Sequence, residues 1–88
     1  MTTRYARSVT TLWRSVGSET LLTASSRHEV DSLSDSATAV WGLLARPCTL
    51  DEVVRRLSER YGTSRDTVER DVRALLDQLV ARGWVEVR

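Results

Sequence analysis

The residues before position 34 have the composition of β-strands and, over 27–33, their alternating pattern with a period of two. Residues 8–16 and 19–24 are rich in Val, Thr, Leu and Trp, which suit a half-buried pleated surface, and Gly17 lies between them at a turn. Residues 27–33 predict a short third strand, and its charges are typical of a strand at the edge of a sheet. Its two faces are His28, Val30 and Ser32 on one side and Glu29, Asp31 and Leu33 on the other.

A helical period of 3.6 begins after residue 33. Ser34 is a favourable N-cap, and the first helix must end before Pro47 because the residue preceding a proline is disfavoured in the α conformation. We expect Trp41 in the core, and Trp13 and Trp84 in the core or at its rim. The apolar face of this helix is predicted to consist of Ala37, Val40, Trp41 and Leu44.

Two further helices and a short strand complete the chain. A capping box at residues 49–52 (TLDE) opens the second helix, and Gly62 is placed to end it in the left-handed conformation. The third helix is predicted from residue 63 or 64 to Arg82, and residues 84–87 (WVEV) read as a final short strand. The sequence therefore predicts an α+β, winged helix-turn-helix-like fold, with a three-stranded N-terminal antiparallel sheet followed by three helices.

Length and charge limit what such a domain can do. The 88 residues are expected to form one domain over 1–88, too small to enclose a deep active-site cavity. The 13 basic residues are all Arg and nearly balance 12 acidic residues, which leaves a net charge of +1. Binding to phosphates benefits from unpaired cations, so this balance argues against a nucleic-acid partner. The third helix is itself balanced, with Arg65, Arg70, Arg73 and Arg82 against Asp66, Glu69, Asp71 and Asp77.

Residue types that catalysis and metal binding need are scarce. Cys48 and His28 are the one pair that could supply a nucleophile and a base, and no glycine-rich loop follows Cys48 to hold an oxyanion. One Cys and one His do not make a structural metal site. We therefore expect no enzyme activity, no metal and no cofactor, and we interpret Cys48 as a small loop residue.

Targeting signals are also missing from the pattern. The longest apolar run, Ala39–Ala45, is too short to span a bilayer. Residues 1–9 contain arginines without the apolar stretch of a secretory signal. We expect a cytoplasmic protein with no membrane partner.

The order of several short motifs resembles that of a known family. A strand ending in Leu33 and a polar cap are followed by Ala-x-x-x-Trp at 37–41, Thr-Leu-x-Glu at 49–52 and Tyr-Gly at 61–62. The last motif, D-V-x-x-L-L-x-x-L, starts at Asp71 and leads to a Gly. Over residues 9–87 this order resembles the PqqD-like domains, also called RiPP recognition elements, which serve ribosomally made, post-translationally modified peptides. The resemblance implies a peptide-binding module without catalytic activity.

The resemblance also implies a binding site and partners. In the family, the leader segment of a precursor peptide adds as a strand to the edge of the N-terminal sheet, in the groove between the third strand and the third helix. A free-standing domain of this length is similar to those of lasso-peptide clusters, whose enzymes are a leader-removing cysteine protease and a macrolactam-forming cyclase. In the alternative arrangement, a free-standing domain of the family serves a radical enzyme.

Carried to this sequence, the resemblance implies that the third strand and one flank of the third helix contact the leader. We expect Val30 and Leu75 to line an apolar pocket for aromatic and proline side chains, and Arg27 and Asp71 to pair with leader charges. The implied contacts are Arg27, His28, Glu29, Val30, Asp31, Ser32 and Leu33 on the strand and Val68, Asp71, Val72, Leu75, Gln78, Leu79 and Arg82 on the helix.

Two alternatives use the same elements. A winged-helix DNA-binding transcriptional regulator would bind a duplex through the third helix, with an affinity that falls steeply with salt. A dimerisation module would pair the open edge strand with its own copy.

Overall fold

The computed structural model describes residues 2–24 and 30–88 of the chain. Within them the elements are β1 (Tyr5–Arg7), β2 (Thr11–Val16), β3 (Glu19–Ala24), β4 (Asp31–Leu33), α1 (Asp35–Leu43), α2 (Leu50–Tyr61), α3 (Arg65–Ala81) and β5 (Val85–Val87). The middle strands form an antiparallel sheet of order β2-β3-β4, and β1 pairs with β5 in a second sheet. The predicted α+β fold, with a three-stranded antiparallel sheet ahead of three helices, is confirmed. None of the helices in these two ranges is long and apolar enough to cross a membrane.

Strand β4 lies at an edge of the larger sheet, as its charged alternation predicts. Among the described strands it pairs with β3 alone. It is shorter than predicted, because it begins at Asp31 and Val30 precedes it, while residues 27–29 lie outside the described ranges. Leu33 is buried and Ser32 is exposed, so the predicted alternation of faces holds. The register pairs Leu33 with Thr20, Ser32 with Leu21 and Asp31 with Leu22.

The separate strand β1 differs from the prediction of one strand over 8–16. It pairs antiparallel with β5, and the backbone of Tyr5 exchanges two hydrogen bonds with Cys48, with N···O distances of 2.7 and 2.9 Å. A turn follows, in which the amide of Thr11 donates to the carbonyl of Ser8 at 3.1 Å. A three-residue strand whose partner lies at the other end of the sequence has no local signal, which explains the difference.

The helix ends follow the predicted caps, with one exception. In the capping box, the amide of Glu52 donates to Thr49 Oγ1 and the amide of Thr49 donates to Glu52 Oε1, both at 3.1 Å. Gly62 ends α2 in the left-handed region, at φ 65°, and the side chain of Ser64 caps α3. Ser34 has the extended backbone of an N-cap, but its hydroxyl accepts no hydrogen bond from the described amides of α1.

The core lies between the sheet and the helices and contains two tryptophans. Trp41 and Trp84 are each 1% exposed, whereas Trp13 lies at the rim with its ring centre 6.4 Å from that of Trp41. Cys48 lies in the α1–α2 connection as predicted, but its side chain is buried and its thiol donates to the carbonyl of Leu43. Burial is the largest reason that the pKa of Cys48 is raised, so the thiol is not the activated nucleophile that a helix N-terminus could produce.

Arg7 holds the N-terminal strands against α1. Its Nε and Nη2 atoms donate to the carbonyl oxygen of Trp41 at 3.0 and 2.7 Å. The same guanidinium lies 4.7 and 4.9 Å from the ring centres of Trp13 and Trp41, within the range of a cation–π interaction. This contact joins β1, β2 and α1 beside the larger sheet.

The two predicted N-caps give a matched test of this fold. Thr49→Ala removes a side-chain hydrogen bond to α2, so we expect it to cost about 1 kcal/mol and to lower the melting temperature by about 4–8 °C. Ser34→Ala removes no capping hydrogen bond and is expected to change the melting temperature by much less. Thermal unfolding followed by circular dichroism checks both, and equal losses would contradict the assignment.

The capping box also makes stability depend on pH. The hydrogen bonds from Thr49 lower the pKa of Glu52 below its ordinary value. A lowered folded pKa means that the contribution is present above the ordinary pKa of about 4.3 and is lost as the pH falls through the folded value. We expect the difference in melting temperature between wild type and Glu52→Ala to shrink between neutral pH and about pH 3. A difference that does not shrink would contradict this.

Candidate functional site

A hollow of about 200 Å³ separates the edge strand β4 from the C-terminal half of α3. Its β4 wall carries the charged, polar and apolar residues of a strand edge, and its α3 wall is formed by residues one turn apart. All seven lining residues are predicted site residues. They are Asp31, Ser32 and Leu33 on β4 and Leu75, Gln78, Leu79 and Arg82 on or just after α3.

A second hollow of about 500 Å³ lies beside the N-terminal half of α3. Four predicted residues line it, and Leu75 lines both hollows; we call the two neighbouring hollows together the α3 groove. The predicted members are Val68, Asp71, Val72 and Leu75. The remaining lining residues come from α1, α2, the α2–α3 turn and the first turn of α3: Ser36, Ala37, Val40, Leu57, Tyr61, Thr63 and Thr67.

Sequence reasoning missed these seven residues for an identifiable reason. The apolar stripes of α1 and α2 predict burial, and Val40 and Leu57 are indeed buried, but a stripe does not show where the packing leaves a gap. Tyr61 is half-exposed and lies at the wall of the larger hollow. The one local signal for this wall is the Tyr61-Gly62 pair, because the left-handed Gly62 ends α2 directly after the tyrosine.

The chemistry of the larger hollow suits an apolar side chain. Val68 and Val72 are buried at its base, and the Tyr61 ring forms part of its wall. Polar groups are few and include the exposed carboxylate of Asp71 and the hydroxyl of Thr67. A concave apolar surface with a small number of polar groups is the usual form of a site that takes one side chain of a ligand.

Val30 lies on the other face of the sheet, so the expected pocket shared by Val30 and Leu75 is wrong. Val30 is 65% exposed and lines a separate hollow with Leu12, Trp13 and Leu21. The reason is the period of two: because Leu33 and Asp31 point toward α3, alternation directs Ser32 and Val30 away from the helices.

Asp31 makes the best-defined polar contacts of the α3 groove. Its carboxylate accepts hydrogen bonds from Nη1 of Arg82 at 3.1 and 3.2 Å and from the indole Nε1 of Trp84. Two of the predicted site residues, Asp31 and Arg82, therefore pair with each other. The link to Trp84 was not predicted, because nothing in the sequence relates positions 31 and 84.

Two ion pairs involve charges of α2 and α3. Glu69 and Arg73 approach to 3.9 Å at an i, i+4 spacing, and Arg65 binds Asp51 of α2 at 2.8 Å. The described residues contain no group of three or more His, Cys, Asp and Glu side chains that could hold a metal ion. Of the predicted strand residues, Arg27, His28 and Glu29 lie outside the described ranges.

Comparisons with known proteins agree with this geometry. The family described as coenzyme PQQ synthesis protein D (PqqD) matches residues 19–85. A solved structure, TbiB1 in complex with the TbiA(beta) leader peptide, shares the fold with a TM-score of 0.83 at 24% sequence identity, and the match covers 92% of this chain and 94% of that one. No curated protein matches this chain. The predicted resemblance to PqqD-like domains is confirmed, and the chain belongs to the PqqD family.

Proposed function

We propose that this protein binds the leader segment of a ribosomally made precursor peptide, which adds as a strand to β4 and lies in the α3 groove. The observation that carries the proposal is the open edge of β4 directly facing a groove lined by α3. The likeness in fold to TbiB1, whose structure holds a leader peptide, supports it.

The edge of β4 explains how the peptide backbone would be bound. An edge strand has unpaired amides and carbonyls, and an added strand satisfies them while pairing its own backbone. These main-chain hydrogen bonds depend little on sequence, so they supply affinity for any extended peptide. Selectivity must then come from the side chains that the peptide directs into the groove.

The larger hollow explains how one side chain would be selected. Its volume of about 500 Å³ exceeds what a small aliphatic side chain fills, and its apolar base favours an aromatic or proline residue. Leu75 lies between the two hollows, so it contacts a peptide that passes from the β4 edge toward α1. Asp71 at the larger hollow adds a preference for a basic residue in the peptide.

The proposed role of this protein is to deliver the precursor peptide to processing enzymes, without catalysing a reaction itself. The bound leader would be presented to a leader-removing cysteine protease and a macrolactam-forming cyclase in lasso-peptide biosynthesis. The protein itself would need no cofactor and would take no nucleic acid. The near-neutral balance of charge on α3 and the ion pairs of Arg65 and Arg73 support this, because a DNA-reading helix benefits from unpaired arginines.

Backbone N-methylation of the leader tests strand addition. The probe is the labelled leader of the precursor peptide encoded beside this gene, N-methylated at one residue at a time and titrated by fluorescence anisotropy. Every second methyl group removes a ladder hydrogen bond, so we expect affinity losses of at least tenfold, about 1.4 kcal/mol, that alternate along the peptide. Uniform small losses would contradict strand addition. A scrambled leader and a random DNA duplex serve as controls, and binding of the duplex instead of the leader would favour the regulator.

Two neighbouring positions on α3 test the groove. Leu75→Glu places a charge between the two hollows, and we expect leader affinity to fall at least tenfold, about 1.4 kcal/mol. Ala74→Glu adds the same charge at an exposed position outside both hollows and is expected to change affinity by no more than about twofold. Circular dichroism confirms that both variants keep their helices. Equal effects of the two substitutions would move the site away from this face of α3.

A further inference from the structure

We infer that Asp31 is a positioning residue: its bonds to Trp84 and Arg82 hold the edge strand β4 at a fixed place against the C-terminal end of α3. The inference concerns the shape of the free protein and, where it extends to leader affinity, rests on the proposed function. It assigns Asp31 a role other than contact with the peptide.

Strand β4 also makes polar contacts with β3 and α1: Ser32 Oγ donates to Glu19 Oε2 at 3.3 Å, and the carbonyl of Leu33 accepts from Thr38 Oγ1 at 3.1 Å. The strand is three residues long and its register with β3 covers three pairs. Of its side chains, Leu33 is buried and Ser32 is exposed. Asp31 is the polar side chain of β4 that, within the described residues, bonds to the segment directly after α3.

Trp84, which donates to Asp31, is held in place by the burial of its ring and by its backbone hydrogen bonds. Its ring is buried, and its amide donates to the carbonyl of Leu79 at 3.0 Å. Its carbonyl accepts from the amide of Ser8 at 2.9 Å and from Thr11 Oγ1 at 3.4 Å. Because the indole N–H points from this fixed residue to the Asp31 carboxylate, it determines how far β4 stands from α3 at this end of the groove.

Arg82 strengthens the same contact from the end of α3. It is the C-cap residue, and its guanidinium bonds both carboxylate oxygens of Asp31. A cation at a helix C-terminus is favoured by the helix dipole, so this end of α3 is a favourable place for the arginine. Two donors from the segment between α3 and β5 thus converge on one carboxylate.

Amide hydrogen exchange of the free protein is the first test. In Asp31→Ala we expect the protected amides of the β3–β4 ladder to exchange at least tenfold faster, with the Trp84 indole N–H resonance shifted and the β2–β3 amides unchanged. Asp77→Ala removes the same charge from an exposed site on α3 and is expected to change none of these signals. Unchanged exchange in β3–β4 of Asp31→Ala would overturn the inference.

Leader affinity is the second test, and it separates position from stability. Val54→Ala makes a cavity in the core at a residue that lines neither hollow. At a temperature where all variants are folded, we expect Asp31→Ala to bind the leader at least tenfold more weakly and Val54→Ala to bind it as wild type does. Equal losses in the two variants, or none in Asp31→Ala, would overturn the positioning role.

The conservative variant tests the indole bond itself. In Asp31→Asn the amide oxygen can still accept from Trp84, so we expect the indole resonance to stay near its wild-type position and most of the affinity to return. Affinity in Asp31→Asn no better than in Asp31→Ala would overturn the indole bond as the determining contact. If the wild-type protein itself binds no leader, the proposed function fails, while the exchange measurement still decides the position of β4.

Discussion

The burial of Trp84 is the constraint on which the arrangement of this small domain depends. The residue follows α3 directly, and its ring enters the core while its backbone bonds reach Leu79 in the helix and Ser8 and Thr11 near the N-terminus. A domain of 88 residues buries little surface, so one large ring has a disproportionate share in it. The same ring carries the N–H that reaches the edge strand through Asp31. Packing of the core and placement of the edge strand therefore depend on the same side chain, Trp84.

The α3 groove follows from this geometry. Since β3 occupies the centre of the sheet, β4 is left with an open edge, and the Asp31 contact brings that edge beside α3. The buried face of α3 supplies the core, and the flank next to it supplies the groove, with Leu75 at the boundary between the two hollows. Residues read as core and residues read as site thus belong to one helix and differ by a fraction of a turn.

Features set by residues close together in the sequence could be predicted, whereas contacts between residues far apart in the sequence could not. The capping box at Thr49, the left-handed Gly62 and the charged alternation before Leu33 each act within a few residues, so helices and edge strand were predicted. The α3 wall was predicted from spacing and from a family resemblance. Strand β1 pairs with β5 across nearly the whole chain, and the Asp31–Trp84 bond spans 53 positions, so neither left a local pattern. Residues 27–30 were assigned to the strand, but the structure describes it only from residue 31.

The charges on and just after α3 support the same proposal as the groove does. Arg65 is bound to Asp51, Arg73 lies beside Glu69, and Arg82 holds Asp31, so three of the arginines on or just after α3 each face a carboxylate. Exposed pairs of this kind contribute little stability, about 0–1 kcal/mol, yet each one cancels a positive charge that a phosphate backbone would require. A peptide strand requires no such charge, because its main affinity comes from neutral hydrogen bonds at an edge and an apolar hollow beside it. The ion pairs on and just after α3 are therefore compatible with the proposed peptide site.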